Sequence, residues 1–176
     1  MADFNPAIAE KQYSPSQWEE KEKWYQQMLS RIMLPDGFGL EHFKQALIRY
    51  DVVATTARLD YARIEANYNT YKETLDIEER DCYIAVQNQQ MGLPNKAAGK
   101  LNIDDIKGLV TTIIKNKKWN NSNYTLYELV KNSRERLSFM KGVKENLQDK
   151  NSMLIWAAAS LKIDNSISSL QNNNQP

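Results

Sequence analysis

Apolar residues recur along this chain at intervals of four and three residues, the spacing of one face of a helix. The first such stretch follows Ser14-Pro15, where serine suits the cap position and proline the first helical position. Its apolar face continues to Ile32. Residues 35–39 contain one proline and two glycines, which favour a turn. A helix is therefore predicted between these two signals.

The second stretch is the longest in the chain. From Phe43 the same spacing continues to Ala85, interrupted by Glu78 alone, and no proline or glycine occurs between Leu40 and Met91. A period of about 3.5 residues held for about six heptads favours a coiled coil. At about 1.5 Å per residue, this helix is expected to be on the order of 75 Å long and to need a partner along its length.

Two more helices are predicted after a break at Gly92-Leu93-Pro94. A short helix starts at Asn102, which is followed by two aspartates and by isoleucines at helical spacing. The last helix begins near Leu126 and repeats the four-three spacing as far as Leu161. The residues from Asn165 onward are mostly Asn, Ser and Gln, so a disordered tail is predicted there.

Together these elements predict an all-α fold, a long antiparallel helical hairpin or coiled coil with a short helix at its tip and an extra N-terminal helix. The predicted parts are an N-terminal arm and helix at 1–39, a hairpin domain at 40–164 with a tip insertion at 92–124, and a disordered polar tail at 165–176. Residues on the two long seams are expected to pack helices together or to join the protomers of a homo-oligomer. They are Phe43, Leu47, Tyr50, Tyr61, Ile64, Tyr68, Tyr71, Leu75, Leu137, Met140, Leu147 and Leu154.

The composition excludes several classes of binding partner and of site. With 23 Lys+Arg against 22 Asp+Glu, the net charge is +1, and no polybasic segment suited to duplex DNA or anionic lipid is present. One cysteine, Cys82, and one histidine, His42, exclude an internal disulfide and a Cys/His zinc site. No apolar run reaches the roughly 18 residues of a membrane span. The first residues lack a signal-peptide pattern, so a cytoplasmic location without membrane contact is expected.

Neither catalysis nor metal binding is expected. The sequence has no phosphate-binding glycine loop, nucleophile elbow or dinucleotide fingerprint. The acidic run at 76–81 spreads its carboxylates around a helix, which does not build a magnesium site. We therefore predict a non-enzymatic protein with no metal and no cofactor.

Two sets of cationic residues are candidates for nucleic-acid binding. The first set is Lys115, Lys117, Lys118 and Trp119. Clustered lysines neutralise phosphates and a tryptophan ring can stack on an unpaired base, which suits a single strand. The alternative interpretation is a solvated helix C-terminus. The second set is Arg58 and Arg63, for which phosphate binding between protomers and ion pairing with nearby acids both remain open.

Three segments carry a family resemblance. They are Tyr61-Ala62-Arg63-Ile64-Glu65-Ala66 in the long helix, Lys107-Gly108-Leu109-Val110 in the short helix, and the amphipathic segment from Leu137 to Leu154. In this order, over residues 41–163, the chain resembles the UvsY-type recombination mediators of phages.

That resemblance implies a homo-oligomer that binds single-stranded DNA and helps a RecA-like recombinase to displace single-strand-binding protein. It further implies strand contact by the set at 115–119, with Arg58 and Arg63 as second choices. The competing hypothesis is a structural or scaffolding coiled coil of a phage particle that does not bind nucleic acid. An adaptor that regulates a host nuclease or polymerase is a third hypothesis.

Overall fold

The described part of the chain is all-α. The computed structural model describes residues 14–91, 101–119 and 123–173, with the backbone alone for Met91 and for 164–173. Within these ranges there are four helices and no strand. The helices are α1 (Pro15–Arg31), α2 (Leu40–Met91), α3 (Ile103–Asn116) and α4 (Leu126–Asn173). The prediction of an all-α fold with two long helices, a short helix between them and an extra N-terminal helix is confirmed.

Some predicted features lie outside the described residues. These are the N-terminal arm over residues 1–13, residues 92–100 and 120–122 of the predicted tip insertion, and the last three residues of the predicted tail.

The first turns of α1 and α3 are closed by reciprocal capping. The Ser14 hydroxyl accepts the backbone N–H of Gln17 at 3.2 Å, and the Gln17 side chain accepts the N–H of Ser14 at 2.9 Å. Asn102 and Asp105 make the same exchange at the start of α3. Gly37, in the turn between α1 and α2, has a φ of 69°, a conformation that glycine adopts without strain. Local chemistry therefore fixes these helix boundaries.

Helix α4 runs further than predicted. It continues to Asn173, so residues 165–173, expected to belong to a disordered tail, are helical in the structure. Once a helix exists, each added residue contributes one more backbone hydrogen bond. No proline or glycine occurs in this segment before Pro176, so the sequence offers nothing that would stop the helix earlier.

The chain divides into two compact units. The first comprises α1, the part of α2 up to Tyr61, and the part of α4 from Phe139 onward. In this unit Phe38, just before α2, lies against Trp156, with ring centroids 6.2 Å apart. The other end of this α2 segment lines a cavity together with the first turns of this α4 segment. The two segments are therefore antiparallel.

A hydrophobic core holds the second unit, Ala62–Ser138. Ile106, Val110 and Ile114 recur at four-residue spacing on α3, and all three are buried. They pack against residues of α2 and α4; the other buried members of this core are Tyr71, Leu75, Val86, Leu126 and Leu129. The short helix is thus a packed element of this unit.

The residues predicted to pack the long helices differ in burial. Buried are Ile64, Tyr71, Leu75, Met140, Leu147 and Leu154; partly buried are Phe43, Tyr50, Tyr61, Tyr68 and Leu137; and Leu47 is exposed.

The exposure of Leu47 corrects the predicted seam at the start of α2. There the buried residues are Ala46, Val53, Ala57 and Asp60. Ala57 lies on the predicted seam, whereas each of the other three comes one residue before a seam position. Helix α1 accounts for the shift, because Asp60 contacts side chains of α1 and Arg49 donates to the carbonyl of Arg31 at 3.1 Å. A third helix therefore moves the centre of the buried face.

Candidate functional site

The first unit contains a cavity of about 370 Å³ between α2 and α4. Helix α2 contributes five side chains to its lining and α4 contributes four; they are Tyr50, Ala54, Ala57, Arg58 and Tyr61, with Met140, Lys144, Leu147 and Gln148. The volume lies within the range of about 300–1,000 Å³ that is typical of ligand pockets.

Small side chains explain why the cavity exists. Ala54 and Ala57 stand on the face of α2 that carries Tyr50 and Tyr61, at the four-three spacing of the predicted seam. Two alanines in succession leave interhelical space that larger residues would fill. The two tyrosines, both half-buried, lie one turn on either side of that space. The cavity therefore has an apolar floor and an aromatic rim.

The charge of the cavity is positive. Arg58 and Lys144 both line it and both are exposed, whereas none of the nine described lining residues is acidic. Among the described residues, neither cation has a carboxylate partner within 4.0 Å. The stem of a lysine packs on apolar surface while its ammonium group stays in water, which suits the position of Lys144 on the seam.

This combination of groups fits an anion that carries a flat ring. A guanidinium group binds phosphate oxygens in a two-pronged geometry, and an ammonium group binds them as a point charge. Tyrosine rings offer faces on which an unstacked base can lie. The lining thus combines side chains of the kinds that bind phosphate and stack on bases, and Gln148 adds a hydrogen-bonding amide.

The lysines at 115–119 are placed differently from the prediction. Lys117 Nζ lies 2.7 Å from Glu78 Oε2, and Lys115 Nζ lies 5.7 Å above the ring of Tyr127. Lys118 is exposed, and Lys118 and Thr125 form an isolated antiparallel bridge. Two of the three lysines are thus engaged by groups of the second unit itself.

Trp119 also points inward. Its backbone N–H donates to the carbonyl of Tyr124 at 3.0 Å, and its half-buried side chain packs against the core of the second unit. The antiparallel bridge between Lys118 and Thr125 lies directly beside it. The structure therefore does not assemble the set at 115–119 as an open basic-aromatic patch.

Hydrogen bonds and burial set two pKa shifts near this bridge. The Tyr127 hydroxyl donates to Glu79, and burial together with this bond raises the pKa of Tyr127 to about 12. The backbone N–H of Thr125 donates to the Glu128 carboxylate at 2.7 Å and lowers the pKa of that carboxyl. Glu128 thereby caps the first turn of α4.

The two arginines of the second set fall in different units. Arg58 lines the cavity of the first unit, whereas Arg63 is exposed in the second unit and does not line the cavity. Lys144 falls on the four-three spacing predicted for the last helix, but the sequence alone did not connect it with Arg58. The sequence held part of the signal, since a lysine at a seam position of one long helix and two successive alanines on the seam of the other each mark a place that large apolar side chains do not fill.

Two absences among the described residues bear on the site. Within the described ranges, no three His, Cys, Asp or Glu side chains come together in a way that could hold a metal ion. Nor does any described helix combine the length and apolar character that crossing a membrane requires.

Comparisons with known proteins returned no relative. Neither a scan of family models, nor a search of curated proteins, nor a search of solved structures found a match to this chain.

Proposed function

We propose that this chain is a non-enzymatic accessory protein of phage DNA recombination. In this proposal it binds single-stranded DNA as a homo-oligomer and assists the loading of a RecA-like recombinase against single-strand-binding protein. The observation that carries the proposal is the cavity of the first unit, where two cations without a described carboxylate partner and two tyrosines surround an apolar floor. The resemblance of the helix order to the UvsY-type mediators supplies the recombination context.

Single strands fit this cavity better than duplexes do. A base reaches a tyrosine face only when it is unstacked, and a duplex keeps its bases stacked. The described lining of one cavity offers two cations, which limits the affinity of a single protomer. Several cavities in one oligomer would act on one strand together, because each further contact is effectively intramolecular.

Titration of the full chain with a labelled oligothymidylate at several salt concentrations tests the proposal. We expect fluorescence anisotropy to show binding that weakens as salt rises, with a slope of about −0.7 in log affinity per phosphate neutralised on a single strand. A duplex of the same length serves as the control and is expected to bind more weakly. Absence of binding, or binding that does not respond to salt, would contradict the proposal.

A second apolar stripe on α2 favours the competing function, a structural or scaffolding component that does not bind nucleic acid. Ile48, Val52, Thr55 and Leu59 follow one another at four-three-four spacing on the outside of the first unit. The exposed fractions of the three apolar members are 64%, 47% and 65%. A regular apolar stripe of this kind is typical of a helix that associates with another helix.

For the stripe we expect a charge at its end to disrupt self-association. Leu59→Glu places a carboxylate where an apolar contact forms, and burial of an unpaired charge is costly. We expect light scattering to show concentration-dependent assembly of the unmodified chain and at least tenfold weaker assembly of this variant. Leu109→Glu, at an exposed leucine of α3, is the matched control. A chain that is monomeric at every concentration would contradict both the stripe and the homo-oligomer. Assembly without any response to the oligothymidylate would favour the structural component.

A further inference from the structure

Helix α1 contacts both long helices of the first unit. The Tyr25 hydroxyl donates to Asp60 Oδ2 on α2 at 2.7 Å, and Lys21 Nζ lies 3.1 Å from the same oxygen. On the other side, the ring of Trp18 meets the ring of Phe139 on α4 edge to face, with centroids 5.8 Å apart. The ring of Tyr25 also lies near Phe139, at 6.2 Å. One helix thus joins α2 to α4.

The contact with α2 uses a buried charge. Asp60 is 4% exposed and Tyr25 is 0% exposed. A carboxylate withdrawn from water is tolerated when donors and opposite charge surround it. Helix α1 brings both a hydroxyl donor and an ammonium group to Asp60. These polar contacts therefore fix the position of α1 on α2 more specifically than apolar packing alone would.

The residues that α1 contacts are direct chain neighbours of the residues that line the cavity. Asp60 precedes Tyr61, and Phe139 precedes Met140. Adjacent residues of a helix point about 100° apart, so the faces turned toward α1 adjoin the faces turned toward the cavity. The rotation and spacing of α2 and α4 at the cavity thus depend on where α1 holds them.

We propose that α1 is a positioning clamp for the cavity, and that Tyr25 and Lys21 act on ligand binding through Asp60 without touching the ligand. The clamp holds α2 and α4 at the spacing that places Arg58 and Lys144 for one phosphate. The ligand in this inference, a phosphate-bearing single strand, rests on the proposed function. The contacts of α1 that form the clamp lie within the first unit and do not depend on the identity of the ligand.

Tyr25→Phe tests the clamp, because it keeps the buried ring and removes the hydroxyl that donates a hydrogen bond to Asp60. We expect the affinity for oligothymidylate to fall about five- to tenfold, since misplaced binding groups lose much of their effect. The salt slope is expected to stay unchanged, because both cations remain. Tyr83→Phe, a half-buried tyrosine of the second unit, is the matched control and is expected to bind like the unmodified chain.

A second pair of variants separates positioning from loss of folding. Lys21→Met removes the ammonium group from Asp60, and Lys21→Arg restores a positive charge there. Circular dichroism sets a temperature at which all variants are folded, and binding is measured at that temperature. We expect Lys21→Met to bind more weakly and Lys21→Arg to recover most of the affinity. Affinities equal to that of the unmodified chain in both Tyr25→Phe and Lys21→Met would overturn the clamp.

Amide hydrogen exchange keeps the clamp testable if the proposed function fails. Should the unmodified chain bind no oligothymidylate, the proposed function is wrong, and the clamp is then judged by exchange at residues 50–61 and 140–148. Tyr25→Phe is expected to speed exchange in both segments, with the second unit unchanged. Exchange that is the same in the variant and the unmodified chain would overturn the clamp as well.

Discussion

Replacement of both Arg58 and Lys144 by alanine is expected to weaken binding of a single strand about 30- to 100-fold. Each cation removed forfeits a phosphate contact worth about 1.0–1.4 kcal/mol, below the usual value for a charge-assisted hydrogen bond because both side chains are exposed, and 1.36 kcal/mol is a factor of ten. The slope of log affinity against log salt should fall by about 1.4, or about 0.7 for each phosphate that is no longer neutralised. Anisotropy titrations at several salt concentrations measure both quantities.

A charge-matched control distinguishes direct phosphate binding from a general field effect. Lys44→Ala with Lys162→Ala removes two positive charges from exposed positions of the same two helices, and each lies about 20 Å or more along its helix from the cavity cation that it matches. This double variant should bind within about twofold of the unmodified chain, because exposed charges beyond about 10 Å are largely screened by salt. Equal losses of affinity in the two double variants would show that the cavity is not the binding site.

The largest expected loss of stability comes from Ile114→Ala on α3. Ile114 is 2% exposed in the core of the second unit, whereas the adjacent Ile113 is 42% exposed. Removal of a buried isoleucine side chain down to its Cβ costs about 2–5 kcal/mol, since the cavity left behind collapses only in part. We expect urea denaturation followed by circular dichroism to give a free energy of unfolding that is about 3 kcal/mol lower.

Ile113→Ala is the natural control, with the same residue type on the same helix at the next position. It should cost only about 1 kcal/mol, because 42% of Ile113 is already exposed in the folded chain and its truncation leaves no closed cavity. Hydrogen exchange along α3 adds a local measurement, and we expect it to rise in Ile114→Ala alone. Similar costs for the two variants would mean that α3 is not docked as described.

The starts of α1 and α3 and the unbroken length of α2 were predictable because they depend on local chemistry. The serine cap at Ser14, the cap at Asn102 and the absence of proline or glycine between Leu40 and Met91 act within a few residues of chain. Which side of a long helix is buried depends instead on its neighbours. Docking of α1 moved burial from Leu47 to Ala46, and the sequence pattern of α2 alone does not contain that information.

The candidate site was predictable only in part. Arg58 stood out as an arginine on the long helix, but its pairing with Lys144 requires knowledge of which turns of α2 and α4 face each other. For Trp119, the sequence pattern indicated a binding residue where the structure shows a residue that packs against a core. A tryptophan beside lysines has the same sequence signature whether its ring stacks on a base or packs into a core.

At the two alanines that line the cavity, stability and ligand binding favour different side chains. Bulkier residues at Ala54 or Ala57 would bury more apolar surface and strengthen helix pairing, yet they would occupy the room that a ligand needs. Selection for stability would thus favour larger apolar residues at these two positions, whereas selection for ligand binding would favour alanine. Alanine retained at both positions in homologous chains would indicate selection for ligand binding. Valine or leucine there would indicate selection for stability.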